Sequence, residues 1–377
     1  LYFVQRVGLN PLQLVLIGTC LEASVFIFEI PTGLVADLYS RKLSIIIGLA
    51  LIGLGFVVQG TLPYFAAILL AQVLWGIGYT FTSGADSAWI ADELGEEQVG
   101  MVFLRGSQAG QVGALLGIGV SVVLANFGLA LPIFAGGIVY LALAVFLAVF
   151  MPETGFKPTP IEDRNSWQAM GATFKAAVSA IRLKPALMTL LVIGLFYGLA
   201  SEGIDRLWQV HAMDVFPSDM AWSITIWFGV ISAVTMVLSI SIAQYLRKKV
   251  DLKNFTGIGT LLIWVNSAFV LSVAAFALSG SFVLAMALYL SLALLRRVNG
   301  PLHHAWLNRN IPSQVRATVL SVSGQADSLG QMVGGPIIGV VATQFSVTSA
   351  ILLAAVILMP IPFLYVKMRS RETNVAV

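Results

Sequence analysis

The chain has 377 residues, of which 58% are hydrophobic and only 10% charged, with a formal net charge of +3 and a mean hydropathy of +0.91. A soluble domain carries about a quarter charged residues, so composition excludes an ordinary water-soluble fold and points to a membrane protein. The single cysteine, Cys20, excludes a disulfide framework or a multi-thiolate metal site within the chain.

Apolar runs of about 20 residues are long enough to cross a bilayer as helices. Alternating segments of about 10, the mark of a membrane barrel, are missing. Eleven spans are predicted in chain order: Leu12–Leu38, Leu43–Leu62, Tyr64–Trp89, Val102–Ala125, Leu129–Phe150, Ala186–His211, Ala221–Leu246, Phe255–Leu278, Phe282–Trp306, Val315–Val341 and Ser346–Val366. Residues 1–150 form an N-terminal lobe of five spans, 151–185 a linker, and 186–377 a C-terminal lobe of six. Within the linker, Trp167, Met170, Phe174, Val178 and Ile181 recur at helical spacing with Arg164, Lys175 and Arg182 on other faces, which predicts an amphipathic helix on the membrane surface.

Short loops rich in Lys and Arg stay cytoplasmic. Under these spans, Arg41, Lys42, Lys157, Arg164, Lys175, Arg182, Lys184, Arg247, Lys248, Lys249, Lys253, Arg309, Lys367, Arg369 and Arg371 share one side. The loops around Gly60, Asn126, Met213, Ser279 and Gln344 have no Lys or Arg, and only Arg6 breaks the pattern. The basic balance is therefore a topology signal, with no nucleic-acid partner implied.

The two halves echo each other. Leu1-Tyr2-Phe3-Val4-Gln5 corresponds to Leu207-Trp208-Gln209-Val210-His211, Ser83-Gly84 to Asn299-Gly300, Ala88-Trp89 to Ala305-Trp306, Gln98-Val99 to Gln314-Val315, and Gln108-Ala109 to Gln325-Ala326. Parallel repeats of this kind are one architecture of secondary transporters. The register places Leu1 level with the outer end of the Ala186–His211 span, which predicts a further helix upstream and twelve spans in two sixes.

Gly33-Leu34-Val35-Ala36-Asp37-Leu38-Tyr39-Ser40-Arg41-Lys42 stands at the end of the first span. It resembles the loop signature of the major facilitator superfamily at Gly33, Asp37, Arg41 and Lys42, and departs from it at Leu38 and Ser40. The resemblance implies an all-α fold of two six-helix lobes and a gate at this loop, with Asp92 and Glu93 as partners for Arg41. Gly33 is expected to let a neighbouring helix approach closely. Two other signatures are incomplete: Gln72 occupies the position of an arginine four residues before Gly76, and Gly106, Gly110, Gly113 and Gly117 lack the proline of antiporters. Packing glycines are the simpler reading of that stripe. Gly334-Gly335-Pro336 with Gly339 is closer to the antiporter pattern but lies in the other half.

An ionisable group inside a span costs about 2.5–3.5 kcal/mol at the bilayer centre and marks function by default. Glu22 and Glu29, seven apart, share a helix face; one or both are candidates to exchange a proton, the alternative for each being a hydrogen-bonded carboxyl that only packs. Trp75, Tyr79, Thr82 and Asp86 fall at i, i+4, i+7 and i+11, and Tyr289, Arg296 and His303 share another face. Helices at these positions line the central cavity in the resembling family, so Asp86 and Arg296 are expected to meet there. Glu202, Asp205 and Arg206 cluster in one span, with Glu202 and Arg206 spaced for an internal ion pair. For the buried polar groups Asp327 and Asn266, interhelical hydrogen bonds are expected.

These features predict a secondary transporter of the cytoplasmic (inner) membrane that moves a small amphiphilic organic solute by alternating access. The resemblance favours proton-coupled multidrug efflux by antiport. Protons, lipids and the solute are the expected partners of a monomer, without cofactor or metal. No nucleophile, metal or acid–base constellation has the spacing of an enzyme, and no Walker-type glycine loop suggests ATP use. An anion or lipid carrier using Arg296 and Arg297 is the alternative within the fold, and a channel the alternative outside it.

Overall fold

The structure, a computed structural model, describes residues 1–156, 185–249, 255–310 and 316–373. Among them the regular structure is entirely helical, as apolar runs in lipid require, because each helix satisfies its own backbone polar groups. A π-helical turn, Tyr2–Arg6, precedes α1 (Pro11–Leu38), α2 (Arg41–Thr61), α3 (Phe65–Thr82), α4 (Ala85–Leu94), α5 (Glu96–Phe127) and α6 (Leu131–Phe150). There follow α7 (Pro185–Asp214), α8 (Ile224–Lys249), α9 (Phe255–Ala277), α10 (Phe282–Asn310), α11 (Arg316–Gln344), α12 (Val347–Leu358) and α13 (Pro360–Thr373). The expected amphipathic linker helix falls within 157–184, outside the described residues.

Ten of the described helical stretches are long and apolar enough to cross a membrane. The span predicted at Val315–Val341 coincides with α11, which is long enough but interrupts its apolar sequence with Gln325, Asp327, Ser328 and Gln331. Two predicted spans are broken. Tyr64–Trp89 divides into α3 and α4 because Gly84 adopts φ 76°, a left-handed conformation that ends one helix and starts the next. Ser346–Val366 divides at Met359, ahead of Pro360, which lacks the N–H that would bond back to the preceding turn. The repeat is uneven here, since Gly300, the counterpart of Gly84, lies inside the continuous α10.

The chain forms two compact units, Leu1–Leu9 with Cys20–Ala169 and Asn10–Thr19 with Met170–Val377. The opening turns of α1 thus belong to the second unit and the rest of α1 to the first.

Each unit is held by glycine-mediated backbone contact, the packing device of membrane helices. In the first, Cβ atoms built on Gly48 and Gly78 would each fall 2.6 Å from the other's carbonyl oxygen, joining α2 to α3. Gly53 and Gly137 do the same for α2 and α6 at 3.0 and 2.9 Å. In the second, Gly198 and Gly334 join α7 to α11, with Cβ positions 2.0 Å from the carbonyl oxygens of Asp327 and Leu199. Gly335 packs on Thr19 and Gly339 on Leu12, so helix packing accounts for the Gly334-Gly335-Pro336 pattern.

The stripe Gly106, Gly110, Gly113 and Gly117 corrects its expectation: a Cβ on any of them would meet nothing within 4 Å. Gly33 is likewise open, so close helix approach does not explain it. Exposed apolar side chains such as Phe127, Phe150 and Trp264 face outward, as residues solvated by lipid do.

Candidate functional site

The charges predicted inside the second unit are drawn together by α7 and α10. Arg296 Nη1 donates to Asp205 Oδ1 at 2.5 Å, with the two side chains 41% and 47% exposed. A charge pair within a span is costly in hydrocarbon, so water suits its exposed face better than lipid. One turn along α7 from Asp205, Trp208 stacks on Tyr289 of α10 with ring centroids 3.9 Å apart and planes 17° from parallel. Phe228 of α8 also packs on Trp208, with ring centroids 4.9 Å apart. The ion pair thus stands on the same two helices as an aromatic cluster in which Trp208 is buried and Tyr289 half-buried.

Glu202 and Arg206 form the expected i, i+4 pair, Arg206 Nε donating to Glu202 Oε2 at 3.2 Å. Glu202 is 4% exposed and fills the space left by Gly18, where a Cβ would fall 1.6 Å from its Oε2. The charge is thus buried against the opening turns of α1.

Deeper in the second unit, the Tyr197 hydroxyl donates to Asn266 Oδ1, and Asn266 Nδ2 donates to Asn299 Oδ1 at 2.8 Å. Asn266 therefore makes the expected interhelical bond, tying α7, α9 and α10, whereas Asp327, expected to bond across helices, accepts instead from Gln331 one turn along its own α11. His303 Nδ1 lies 2.7 Å from the Tyr365 hydroxyl on α13.

In the first unit, Arg41 and Asp92, two of the residues expected at the gate, meet at one end. Arg41 Nε lies 2.8 Å from Asp92 Oδ2, and the guanidinium sits 5.8 Å from the Phe156 ring centroid. The N–H is not aligned on the oxygen, so the contact is an ion pair rather than a hydrogen bond. Glu93, the other expected partner of Arg41, is engaged elsewhere. Its carboxylate accepts from Thr154 N at 2.6 Å, Thr154 Oγ1 at 2.7 Å and Gly155 N at 2.7 Å. Glu153 accepts from Ser40 Oγ at 2.6 Å and from the backbone N of Lys42 at 2.8 Å, closing the start of α2. Trp89 Nε1 donates to Pro152 O at 2.8 Å. Residues 152–156 thereby stitch the α1–α2 turn to the end of α4, over a small core of Ala36, Ile45, Ala85 and Met151.

The other predicted cavity residues of this unit are spread out. Glu22 and Glu29 are both partly exposed on α1, and Asp37, expected at the gate rather than in the cavity, is exposed on its last turn. Trp75 packs on Phe56, which in turn packs on Tyr140. Tyr79 is half exposed. Asp86 does not continue the Trp75–Tyr79–Thr82 face, because the Gly84 break turns α4 away from the helical phase of α3. Its Oδ1 accepts from Ser87 N at 2.6 Å in the first turn of α4.

Sequence reasoning missed several polar groups. Gln72 Nε2 donates to Gln59 Oε1 at 2.8 Å, and the Tyr2 hydroxyl donates to Gln59 O at 2.6 Å, a buried neutral cluster where the family signature would place an arginine. Glu153 lay beyond the last apolar residue of its span. Trp208 was visible only as part of the repeat, although it stands three residues after Asp205, one helical turn.

Ten described helices long and apolar enough to cross a membrane, with an ion pair embedded among them, define a polytopic membrane protein. The sequence profile of the Major Facilitator Superfamily matches residues 1–296, and the chain belongs to that family. A relative from Bacillus subtilis (strain 168), described as the uncharacterized MFS-type transporter YxaM, is 23% identical over 349 residues, 92% of this chain and 85% of its own. Multidrug resistance protein 2 of the same organism is 26% identical over 208 residues, 54% of this chain and 50% of its own. Among solved structures, the nucleoside transporter NupG superposes with a TM-score of 0.73 at 17% identity, covering 97% of this chain and 92% of that one. A bacterial homologue of the human lysosomal transporter Spinster, inward-facing and occupied, gives 0.71 at 16%, covering 98% and 90%. These likenesses establish the fold; the family makes the chain a multi-pass membrane transporter of small molecules and not an enzyme.

Proposed function

We propose that this transporter is a monomeric, proton-coupled exporter of the cytoplasmic membrane, exchanging protons for a small amphiphilic organic solute by alternating access of two lobes, 1–150 and 186–377, joined by 151–185. The observation that carries the reading is the Asp205–Arg296 pair held half open beside the stacked rings of Trp208 and Tyr289. Opposite charges close to a half-buried aromatic ring suit a solute that is polar at one end and aromatic or aliphatic at the other. The partial match to a multidrug resistance protein supports the export direction.

Glu22, Glu29 and Asp86 are the proton carriers of the first unit, and Gly33, Asp37, Arg41, Lys42 and Asp92 its gate. The Arg41–Asp92 pair, with side chains 19% and 29% exposed, contributes about 1–2 kcal/mol, between the limits for exposed and buried pairs, enough to bias conformations a few kcal/mol apart. The test is ethidium accumulation by the full chain in proteoliposomes under an imposed pH gradient. Saturable accumulation that a protonophore collapses is expected, with at least one of Glu22→Gln, Glu29→Gln and Asp86→Asn uncoupled from the gradient. Wild-type gradient dependence in all three would refute the assigned carriers, and accumulation indifferent to the gradient would refute proton coupling.

A further inference from the structure

Two carboxylates of α7 meet guanidiniums, and the two pairs are built differently. Glu202 pairs with Arg206 of its own helix, is 4% exposed and fills the space left by Gly18, so that pair is closed. Asp205 pairs with Arg296 of α10, and the side chains stay 41% and 47% exposed. The contact is a single one: Arg296 Nη1 donates to Asp205 Oδ1, where a guanidinium and a carboxylate can share two parallel bonds. No other hydrogen bond or ion pair reaches either side chain among the described residues, which leaves Asp205 Oδ2 and the remaining N–H groups of Arg296 for a further partner.

A ligand with one charge suits this pair badly. A cation drawn onto Asp205 leaves the guanidinium without its counter-charge, and an anion drawn onto Arg296 does the same to the carboxylate. A ligand carrying both charges takes the open edge of each partner, its ammonium on Asp205 Oδ2 and its carboxylate on the free N–H groups of Arg296, and the protein pair stays whole. Because the paired atoms are 2.5 Å apart, the ligand's charges must also lie close together. An ammonium and a carboxylate on one carbon meet that limit better than the widely spaced phosphate and ammonium of a zwitterionic lipid headgroup. Tyr289, half-buried and two turns before Arg296 on the same face of α10, gives the ligand's apolar body a ring surface on the side where Trp208 stacks.

We propose that the solute held here is a compact zwitterion, an ammonium and a carboxylate on one carbon attached to an aromatic or aliphatic body. The inference rests on the amphiphilic-solute reading above and supplies the chemistry of the solute's polar end. Arg296 recognises the carboxylate, Asp205 the ammonium and Tyr289 the body. Arg297, the next residue, lies about 100° further round α10, and Arg206 is held by Glu202, so neither adds a second cation to the pair.

Isothermal titration calorimetry of the full chain in phosphatidylglycerol nanodiscs, near neutral pH, tests this with three ligands that share a phenylethyl body. Phenylalanine is the zwitterion, phenethylamine the cation and hydrocinnamate the anion. Phenylalanine should bind about tenfold tighter than either singly charged ligand, the factor at stake in an ion pair of intermediate exposure. Asp205→Asn should cancel its advantage over hydrocinnamate, and Arg296→Gln its advantage over phenethylamine. Phenethylamine or hydrocinnamate binding the wild type as tightly as phenylalanine would overturn the proposal, whether or not the variants fold, and so would binding by none of the three. Tighter binding of dihexanoylphosphatidylcholine than of phenylalanine would overturn it in favour of a lipid headgroup. Ethidium accumulation under a pH gradient, measured on the same protein in proteoliposomes, separates the two layers. Gradient-driven accumulation without the phenylalanine preference sinks the zwitterion and leaves the exporter standing. The preference without gradient-driven accumulation sinks proton-coupled export and leaves the zwitterion site.

Discussion

Breaking the Asp205–Arg296 pair is the perturbation that reports most on how the site is built. A fully buried pair that loses one partner costs about 3–5 kcal/mol, whereas an exposed pair is worth about 0–1 kcal/mol. With side chains 41% and 47% exposed, solvent screens much of the interaction. The coupling between the two residues is therefore expected at about 1–2 kcal/mol, between those limits. A double-mutant cycle of Asp205→Asn, Arg296→Gln and the double variant, followed by unfolding in mixed dodecyl maltoside–SDS micelles, measures it. The double variant should be less destabilised than the sum of the singles. Additivity within about 0.5 kcal/mol, as for residues that do not touch, would refute the pairing as an energetic unit.

The glycine seams give a sharp contrast: Gly198→Leu, with its Cβ position 2.0 Å from a backbone oxygen, should abolish a monodisperse gel-filtration peak. Gly106→Leu, facing open space, should elute as wild type. Glu153→Ala removes the acceptor for Ser40 Oγ and Lys42 N and should lower stability by about 1–2 kcal/mol in thermal unfolding, with Glu153→Gln milder. Tyr289→Ala should weaken ethidium binding, read by fluorescence titration, by about 0.5–1.5 kcal/mol beyond lost area, while Tyr289→Phe should stay near wild type because the stack on Trp208 survives.

Much of the fold was legible because lipid imposes a coarse rule, a long apolar run for each helix. The breaks were less so. In sequence Gly84 looks like any packing glycine, and only its φ of 76° marks it as the residue where the α3 face ends and Asp86 leaves it. The α5 stripe shows the converse, glycines at packing spacing with nothing packed on them within 4 Å.

At the site, Asp205 and Arg296 were each recognisable as embedded charges. Their pairing across 91 positions of sequence depends on how α7 and α10 cross, which periodicity does not encode. Arg41 and Asp92 were easier, since both sit at helix ends on the same side of the predicted topology. Glu153 carried no such signal, because it lies in an irregular segment whose role comes from the backbone donors it meets.

The most direct test of the account is counterflow in proteoliposomes preloaded with unlabelled tetraphenylphosphonium. An alternating-access carrier is expected to accumulate labelled tetraphenylphosphonium transiently above equilibrium, with the overshoot lost in Arg296→Ala. Simple equilibration without overshoot, accompanied by ohmic single-channel current, would contradict it.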